Sequence, residues 1–360
     1  MALSDLRIDT PTRQEWSRVW RDSDYATFFH SPLWAELWER FGGAHTQSVP
    51  ERIHFGDGRQ AVLPLCFESK FQGLLSRYVA SPQATYGGWI SDQPLELGHA
   101  ELLLERLLDR EAGSLVWRMN PFDELAFQAG KRRGLSCRAD YTHALKLAPG
   151  PGALLGGFKN GYRADIQKAL KAGRISIDLA TQLDEWRAYH RVYQETLVRW
   201  GHTTSEGYPW EVFEILAKLD SPYVKLWLGR YDGAIVSGEL CLYAKRHVVS
   251  WHAATLSDYL RTNVAKVQIY HVIQDACERG YHWFDFNPSA GLAGVQKFKE
   301  SFDARPLPAP LVYVDSKLKR LVRGVAASLS VPYAELELTP LERLLAEMSP
   351  GSVQGLGASA

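Results

Sequence analysis

Two neighbouring runs, Phe284-Asp285-Phe286-Asn287-Pro288 and Phe298-Lys299-Glu300-Ser301-Phe302, hold the residues most able to do chemistry. An aromatic strand ends on an acid and an Asn-Pro turn. A glycine-containing loop follows, then a short helix with a lysine set among aromatics. Such an arrangement can hold one cation at a strand's mouth, against a reacting carbonyl or a phosphate. Lys299 is the candidate for that charge, and Phe298 is one of its aromatic walls. Asp285 would orient the lysine or help with a proton. The packing alternative is that Phe298 and Phe302, one helical turn apart, anchor a helix whose Lys299 faces solvent.

Three further sets of residues are candidates for binding. In Lys159–Arg174 the spacing predicts a helix with Lys159, Arg163, Lys168, Lys171 and Arg174 on about half its circumference. Arg163 and Lys168 would meet phosphates, and a solvated charged face is the alternative. In Val248–Thr255, Trp251 and His252 end a strand. His252 could be a base, because imidazole titrates near neutrality, or a hydrogen-bonded core residue. In the first half Tyr86-Gly87-Gly88-Trp89 offers Tyr86 beside glycines that let a ligand approach the backbone. The sequence lacks GxxxxGK[ST], GxSxG, HExxH and a GxGxxG after a strand, so phosphate-loop, serine-hydrolase, zinc-peptidase and dinucleotide chemistry lose their usual support.

The elements that must position these residues come in two similar sets. Asp57-Gly58 and Asp232-Gly233 each join apolar strands, and each hairpin is followed by a helix and a strand ending Asn-Pro, at Asn120-Pro121 and Asn287-Pro288. Helices are predicted over 100–110 and 267–279. The strands 224–228, 235–242 and 247–252 follow one another without helices between them, which predicts an antiparallel meander. Ala148-Pro149-Gly150-Pro151-Gly152 is the clearest linker. The expected organisation is a first domain over 1–148 and a second over 149–314. A C-terminal helical segment over 315–360 would include amphipathic helices at 317–328 and 341–348 and end in a frayed tail.

Composition narrows the class. The chain has 360 residues, 46% hydrophobic, with 12 Trp and 16 Tyr, which is ample for two cores. Lys+Arg and Asp+Glu are both 41, so any polyanion site is local and bulk DNA binding is not expected. The four cysteines form no CxxC pair, which speaks against a zinc site or disulfide framework. With neither a signal-like apolar core nor a stretch of ~20 apolar residues, the expected location is cytoplasmic. Lys317, Lys319, Arg320 and Arg323 allow at most peripheral membrane contact.

On these residues the chain resembles the Fem-type aminoacyl and acyl transferases (the FemAB family), from about Phe28 to Val314. The carriers are Arg163-Ala-Asp-Ile-Gln-Lys-Ala-Leu-Lys-Ala-Gly173, Phe284-Asp-Phe286 and Phe298-Lys-Glu-Ser-Phe302, the last similar to an FK-x-x-F-G segment. The resemblance implies an α/β (α+β) fold of two tandem GNAT-like domains, each with a mostly antiparallel sheet flanked by helices. It implies that Lys299 takes part in activity, that Phe298 lies at the donor end, and that Arg163 is near acceptor phosphates. It also implies that the C-terminal segment packs on the first domain. The activity implied is transfer from acyl-CoA or aminoacyl-tRNA, as co-substrate rather than bound cofactor, to a small-molecule or lipid-linked amine in cell-envelope or polysaccharide metabolism. The alternative is a GNAT-like binding or assembly protein without turnover. Three residues depart from the pattern: Asp303 replaces a glycine, Asn120 an acid and Trp38 a lysine. In the acyl-CoA loop pattern [QR]-x-x-G-x-[GA], the nearest match, Arg261–Lys266, has Val264 and Lys266 at the small positions.

Overall fold

The computed structural model describes residue 3 and residues 5–70, 75–110, 113–201, 207–289 and 293–315. The described residues divide into two units: those up to 23, 29–140 and 309–315 form one, and 24–28 and 141–308 the other. Among the described residues no helix is long and apolar enough to cross a membrane.

In the first unit β1 (Arg7–Asp9) leads to α1 (Arg13–Asp22) and α2 (Pro32–Gly42). Thr12 and Glu15 start α1 with reciprocal caps, and Ser31 with Pro32 starts α2. The strands β2 (Thr46–Ser48), β3 (Glu51–His54), β4 (Gln60–Leu63), β5 (Cys66–Lys70), β6 (Leu75–Val79) and β7 (Tyr86–Gly87) follow. Then come α3 (Leu97–Leu108), β8 (Ser114–Met119) and α4 (Glu124–Arg133). One small sheet has the order β1-β3-β4. In the larger sheet β6 pairs in parallel with β8 across α3, while β5–β6 and β2–β5 are antiparallel.

The second unit repeats this logic. Its elements are β9 (Tyr141–Lys146), α5 (Pro151–Gly157), α6 (Asn160–Ala172), β10 (Ile175–Leu179), α7 (Leu183–Arg199), α8 (Trp210–Lys218), β11 (Val224–Tyr231), β12 (Ala234–Tyr243), β13 (His247–Thr255), α9 (Val264–Glu278), β14 (Trp283–Asp285), α10 (Ala293–Glu300) and β15 (Arg305–Pro308). The sheet order is β10-β11-β12-β13-β14-β9-β15. Among the described strands of this sheet only the β13–β14 pair is parallel, and α9 makes that crossover as α3 does in the first unit. The Asp232-Gly233 turn, with φ of 50° and 85°, gives β11 and β12 the left-handed pair of residues that a tight hairpin needs. Trp227, Cys241, Tyr243, Val272, Ile273, Phe284 and Phe302 form the core on the α9 side of the sheet.

Strand membership corrects the expected domain boundary. Tyr141–Lys146, assigned from sequence to the first domain, pairs with β14 and β15 in the second unit. The last strand, β16 (Leu311–Val314), assigned to the second domain, pairs antiparallel with β8 in the first. Asp24 belongs to the second unit, where it forms ion pairs with Lys245 at 2.9 Å and Arg246 at 2.7 Å. Residues 147–150 do separate β9 from α5, but Pro151 and Gly152 already belong to α5. Hydrogen-bond partners, however, decide which sheet a strand joins. The helices expected within 317–348, and the packing of the C-terminal segment, lie outside the described residues.

Candidate active site

The second unit contains a gap built into its sheet. β13 pairs with β14 only from His247↔Trp283 to Val249↔Asp285, yet β13 continues to Thr255. Just past that point β13 carries a bulge: Leu240 of β12 faces His252 and Cys241 faces Ser250, leaving Trp251 as the extra residue. A bulge bends its strand and re-aims side chains. β14 meanwhile stops at Asp285, and Asn287 takes φ 61°. The two parallel strands therefore part, with peptide groups of β13 along one side of the opening.

Two charged side chains hold the other side. Asp285 is fully buried, and its Oδ1 accepts from the Thr142 hydroxyl and from the Asn287 N–H, the latter at 2.9 Å. Lys299, only 6% exposed, donates its ammonium to the Asn287 carbonyl at 2.5 Å. Both backbone groups of one left-handed residue are thus pinned. Asparagine adopts that conformation more readily than most residues, but the proline after it disfavours the turn, so the pins have strain to oppose. The solvent-facing alternative for Lys299 is excluded by its burial.

The aromatic wall beside Lys299 is continuous. Phe302, fully buried, lies 5.3 Å from Phe298, 5.2 Å from Phe158, 5.4 Å from Tyr162 and 5.6 Å from Phe286 between ring centroids. Phe298 is half-buried and also meets Tyr162, at 6.0 Å. Asp303 takes φ 59°, so an aspartate supplies the left-handed residue that glycine would favour after Phe302.

The other expected residues fall elsewhere. His252 sits among Tyr193, Phe213 and Tyr189, with ring centroids 4.1, 5.6 and 5.8 Å away. Its Nδ1 lies 2.5 Å from the Tyr189 hydroxyl, which burial keeps protonated and donating. His252 as a residue is half-buried. Enclosure by its neighbours, with a smaller push from His190, still lowers its pKa to about 3. The base role considered for His252 therefore gives way to packing. Trp251 packs at a tilt against Tyr208, with ring centroids 5.0 Å apart. Arg163 donates to the Gly156 carbonyl and to Asn160 Oδ1, joining the end of α5 to the start of α6, and Lys168 is exposed on α6. Tyr86 has no exposed surface in the first unit and packs edge-on against Phe29, so its place is the interior rather than a groove. Trp38 and Asn120 are likewise buried in that unit.

Two groups had escaped notice in the sequence. His143, on β9, is 4% exposed, and its pKa is lowered by burial and by the nearby Lys299 charge, with Glu300 opposing. Glu239, on β12, is 1% exposed, and neither carboxylate oxygen makes a hydrogen bond of ordinary geometry among the described residues. Burial raises its pKa to about 7, only partly opposed by the Ser250 side chain. No local spacing marks either residue, since each matters through strands remote in sequence.

The start of α9 also differs from a loop open to a diphosphate. Asn263 there has φ 65°, Val264 is fully buried, and Lys266 reaches α6. Its ammonium pairs with Asp165 Oδ2 at 2.5 Å and lies 4.4 Å from the Tyr162 ring centroid.

Residues 156–300 match the family model described as an acetyltransferase (GNAT) domain. The fold is similar to the crystal structure of FemX, at 13% identity, covering 87% of this chain and 98% of that one, with a TM-score of 0.68. It is similar also to L-PGS from Bacillus licheniformis (14% identity, 86% and 93% covered, TM-score 0.55). A third similar structure is the C-terminal domain of a putative lysylphosphatidylglycerol synthetase from Agrobacterium fabrum (12%, 88% and 97%, 0.52). No curated protein matches the sequence. At these identities the likeness is one of fold, and the fold is the tandem, mixed α/β arrangement that the repeated elements predicted.

Proposed function

We propose that the chain is an acyltransferase that moves an acyl or aminoacyl group from an activated donor to an amine, with the chemistry in the second unit. The observation that carries this reading is the parting of β13 and β14 inside the segment matched as a GNAT domain, with a buried lysine at its mouth. The amine nitrogen attacks the donor carbonyl, and negative charge grows on the carbonyl oxygen. An ammonium already held in a dry site can meet that charge with little reorganisation, and one such donor contributes about 3–4 kcal/mol. Lys299 fills that role in this reading. Asp285 acts at one remove, by holding the Asn287 turn on which Lys299 rests. Phe298 offers the donor's acyl end an aromatic surface, and Arg163 and Lys168 stay as candidates for phosphates along α6.

Envelope or polysaccharide metabolism is the proposed setting, supported by similar structures named for FemX and for lysylphosphatidylglycerol synthesis. The acceptor is then a small or lipid-linked amine. For the donor, the Lys266–Asp165 pair at the start of α9 favours something other than a CoA diphosphate bound across that helix end. The same pair favours the second reading, a binding protein without turnover.

Mass spectrometry of reactions containing an acyl thioester or an aminoacyl-tRNA with a panel of amines tests both. Formation of a new amide with release of thiol or tRNA is the expected outcome. A donor that raises the melting temperature but is never consumed would leave the binding reading standing instead. Strong salt dependence identifies the tRNA donor, because phosphate contacts release counterions.

A further inference from the structure

We propose that His143 is the group that takes the proton from the attacking amine. The inference rests on the acyl-transfer reading and adds a residue to it. In the sheet order β12-β13-β14-β9, the imidazole stands one strand beyond the gap, on β9. Its strand is fixed there: the Phe286 N–H donates to the His143 carbonyl at 2.9 Å, and Pro306 of β15 lies opposite it in register. Thr142, the preceding residue, points its hydroxyl to Asp285 on one face of the sheet. His143 therefore points to the other, where α10 brings Lys299 and Glu300.

The ring is almost wholly enclosed, and its Nδ1 makes no hydrogen bond among the described residues. Nε2 lies 3.9 Å from Glu300 Oε1. A carboxylate on the Nε2 side favours the tautomer with its hydrogen there, leaving the Nδ1 lone pair as an unmatched acceptor. A buried acceptor without a donor is costly, and a substrate N–H is the kind of group that would satisfy it. Hydrogen bonds of this type commonly tighten only when substrate is bound.

The charges around the ring suit the task. Lys299 disfavours the imidazolium and Glu300 favours it. The neighbouring residue of β15, Pro306, carries no charge, and Asp285 of β14 faces the other way. The ring is thus neutral near pH 7, which is the form that accepts a proton. In the reaction the amine forms the C–N bond as the carbonyl π pair moves to oxygen, and the amine proton passes to Nδ1. As the intermediate collapses, the bond to the leaving group breaks. The imidazolium returns its proton to that thiolate or alkoxide, helped by the repulsion of Lys299.

His143→Gln and Lys299→Met, each assayed across pH with whichever acyl thioester or aminoacyl-tRNA the mass spectrometry shows to be consumed, test the assignment. In His143→Gln we expect kcat to fall about a hundredfold or more with donor KM little changed, and the acid limb of the kcat profile to vanish. Hydroxylamine, whose intermediate loses its proton more easily, should recover much of the loss. In Lys299→Met the residual acid limb should move to higher pH, since a repelling charge is gone. NMR titration of the His143 imidazole in the unaltered chain must give the kinetic midpoint, a readout independent of whether His143→Gln folds. A mismatch, or His143→Gln with unaltered kcat and acid limb, overturns the assignment while leaving acyl transfer intact. Absence of transfer by the unaltered chain with every donor sinks the acyl-transfer reading itself, and this assignment with it.

Discussion

Lys299 is a buried ammonium that makes two claims on one charge. Its burial is offset by donation to the Asn287 carbonyl, and in the proposed mechanism the same ammonium meets the oxyanion. Lys299→Met should therefore lower kcat by 10²–10³ while donor KM moves little, as expected when a group acts on the transition state. The same change leaves the Asn287 carbonyl without its donor and should cost about 1–3 kcal/mol of stability in denaturant unfolding. An unchanged kcat would remove Lys299 from the mechanism. Asp285 differs in kind. Asp285→Asn keeps an acceptor for the Asn287 N–H and should be mild, whereas Asp285→Ala strands both that N–H and the Thr142 hydroxyl and should lower Tm clearly.

Among the elements, the decisive one is the short strand β14. It supplies only three parallel pairs before Asn287 turns the chain away. Asn287→Ala should cost about 1 kcal/mol, because alanine tolerates φ 61° poorly, and Asn287→Gly should cost less. Equal losses in thermal unfolding would show that the asparagine side chain, not the backbone, matters. Much of this was legible in the residues. The Asn-Pro pair marked the strand end, and the basic run marked α6, which closes on Gly173 at φ 66°, whereas the helix expected from the Phe298/Phe302 spacing ends as α10 at Glu300, short of Phe302. What could not be read was burial of Lys299, because helical spacing places a lysine on a face without saying what covers it.

For the whole molecule, buried ionisable groups make stability depend on pH in opposite senses. Glu239 in the second unit and Asp123 in the first, where it caps α4, both have pKa values raised to about 7 by burial. Folding thus favours their protonated forms. Their contribution is complete below their ordinary pKa values of 4.5 and 3.8, and is lost as pH rises towards 7. His252 runs the other way: its stability is present above 6.5 and is lost as pH falls towards 3. Glu239→Gln should therefore gain on the unaltered chain between pH 4.5 and 7, by up to about 1.4 kcal/mol per pH unit, and stay level above. Urea unfolding at pH 4.5 and 7.5 measures this. A difference that does not grow with pH would mean that the carboxylate is satisfied by a group inside the fold.

The sequence by itself determined what depends on neighbours along the chain: the Asp-Gly hairpins, the repeated order of elements, the aromatic strand ending Asn-Pro, and the lysine among phenylalanines. Those signals come from backbone conformation and side-chain periodicity, which act over a few residues. Only the tertiary structure decided which sheet Tyr141–Lys146 and Leu311–Val314 join, and so which residues meet. Thr142 finds Asp285, and His143 comes to Lys299, because a strand from before the linker is hydrogen-bonded beside β14. Strand pairing joins backbone groups without regard to their separation along the chain, and no local pattern encodes the partner.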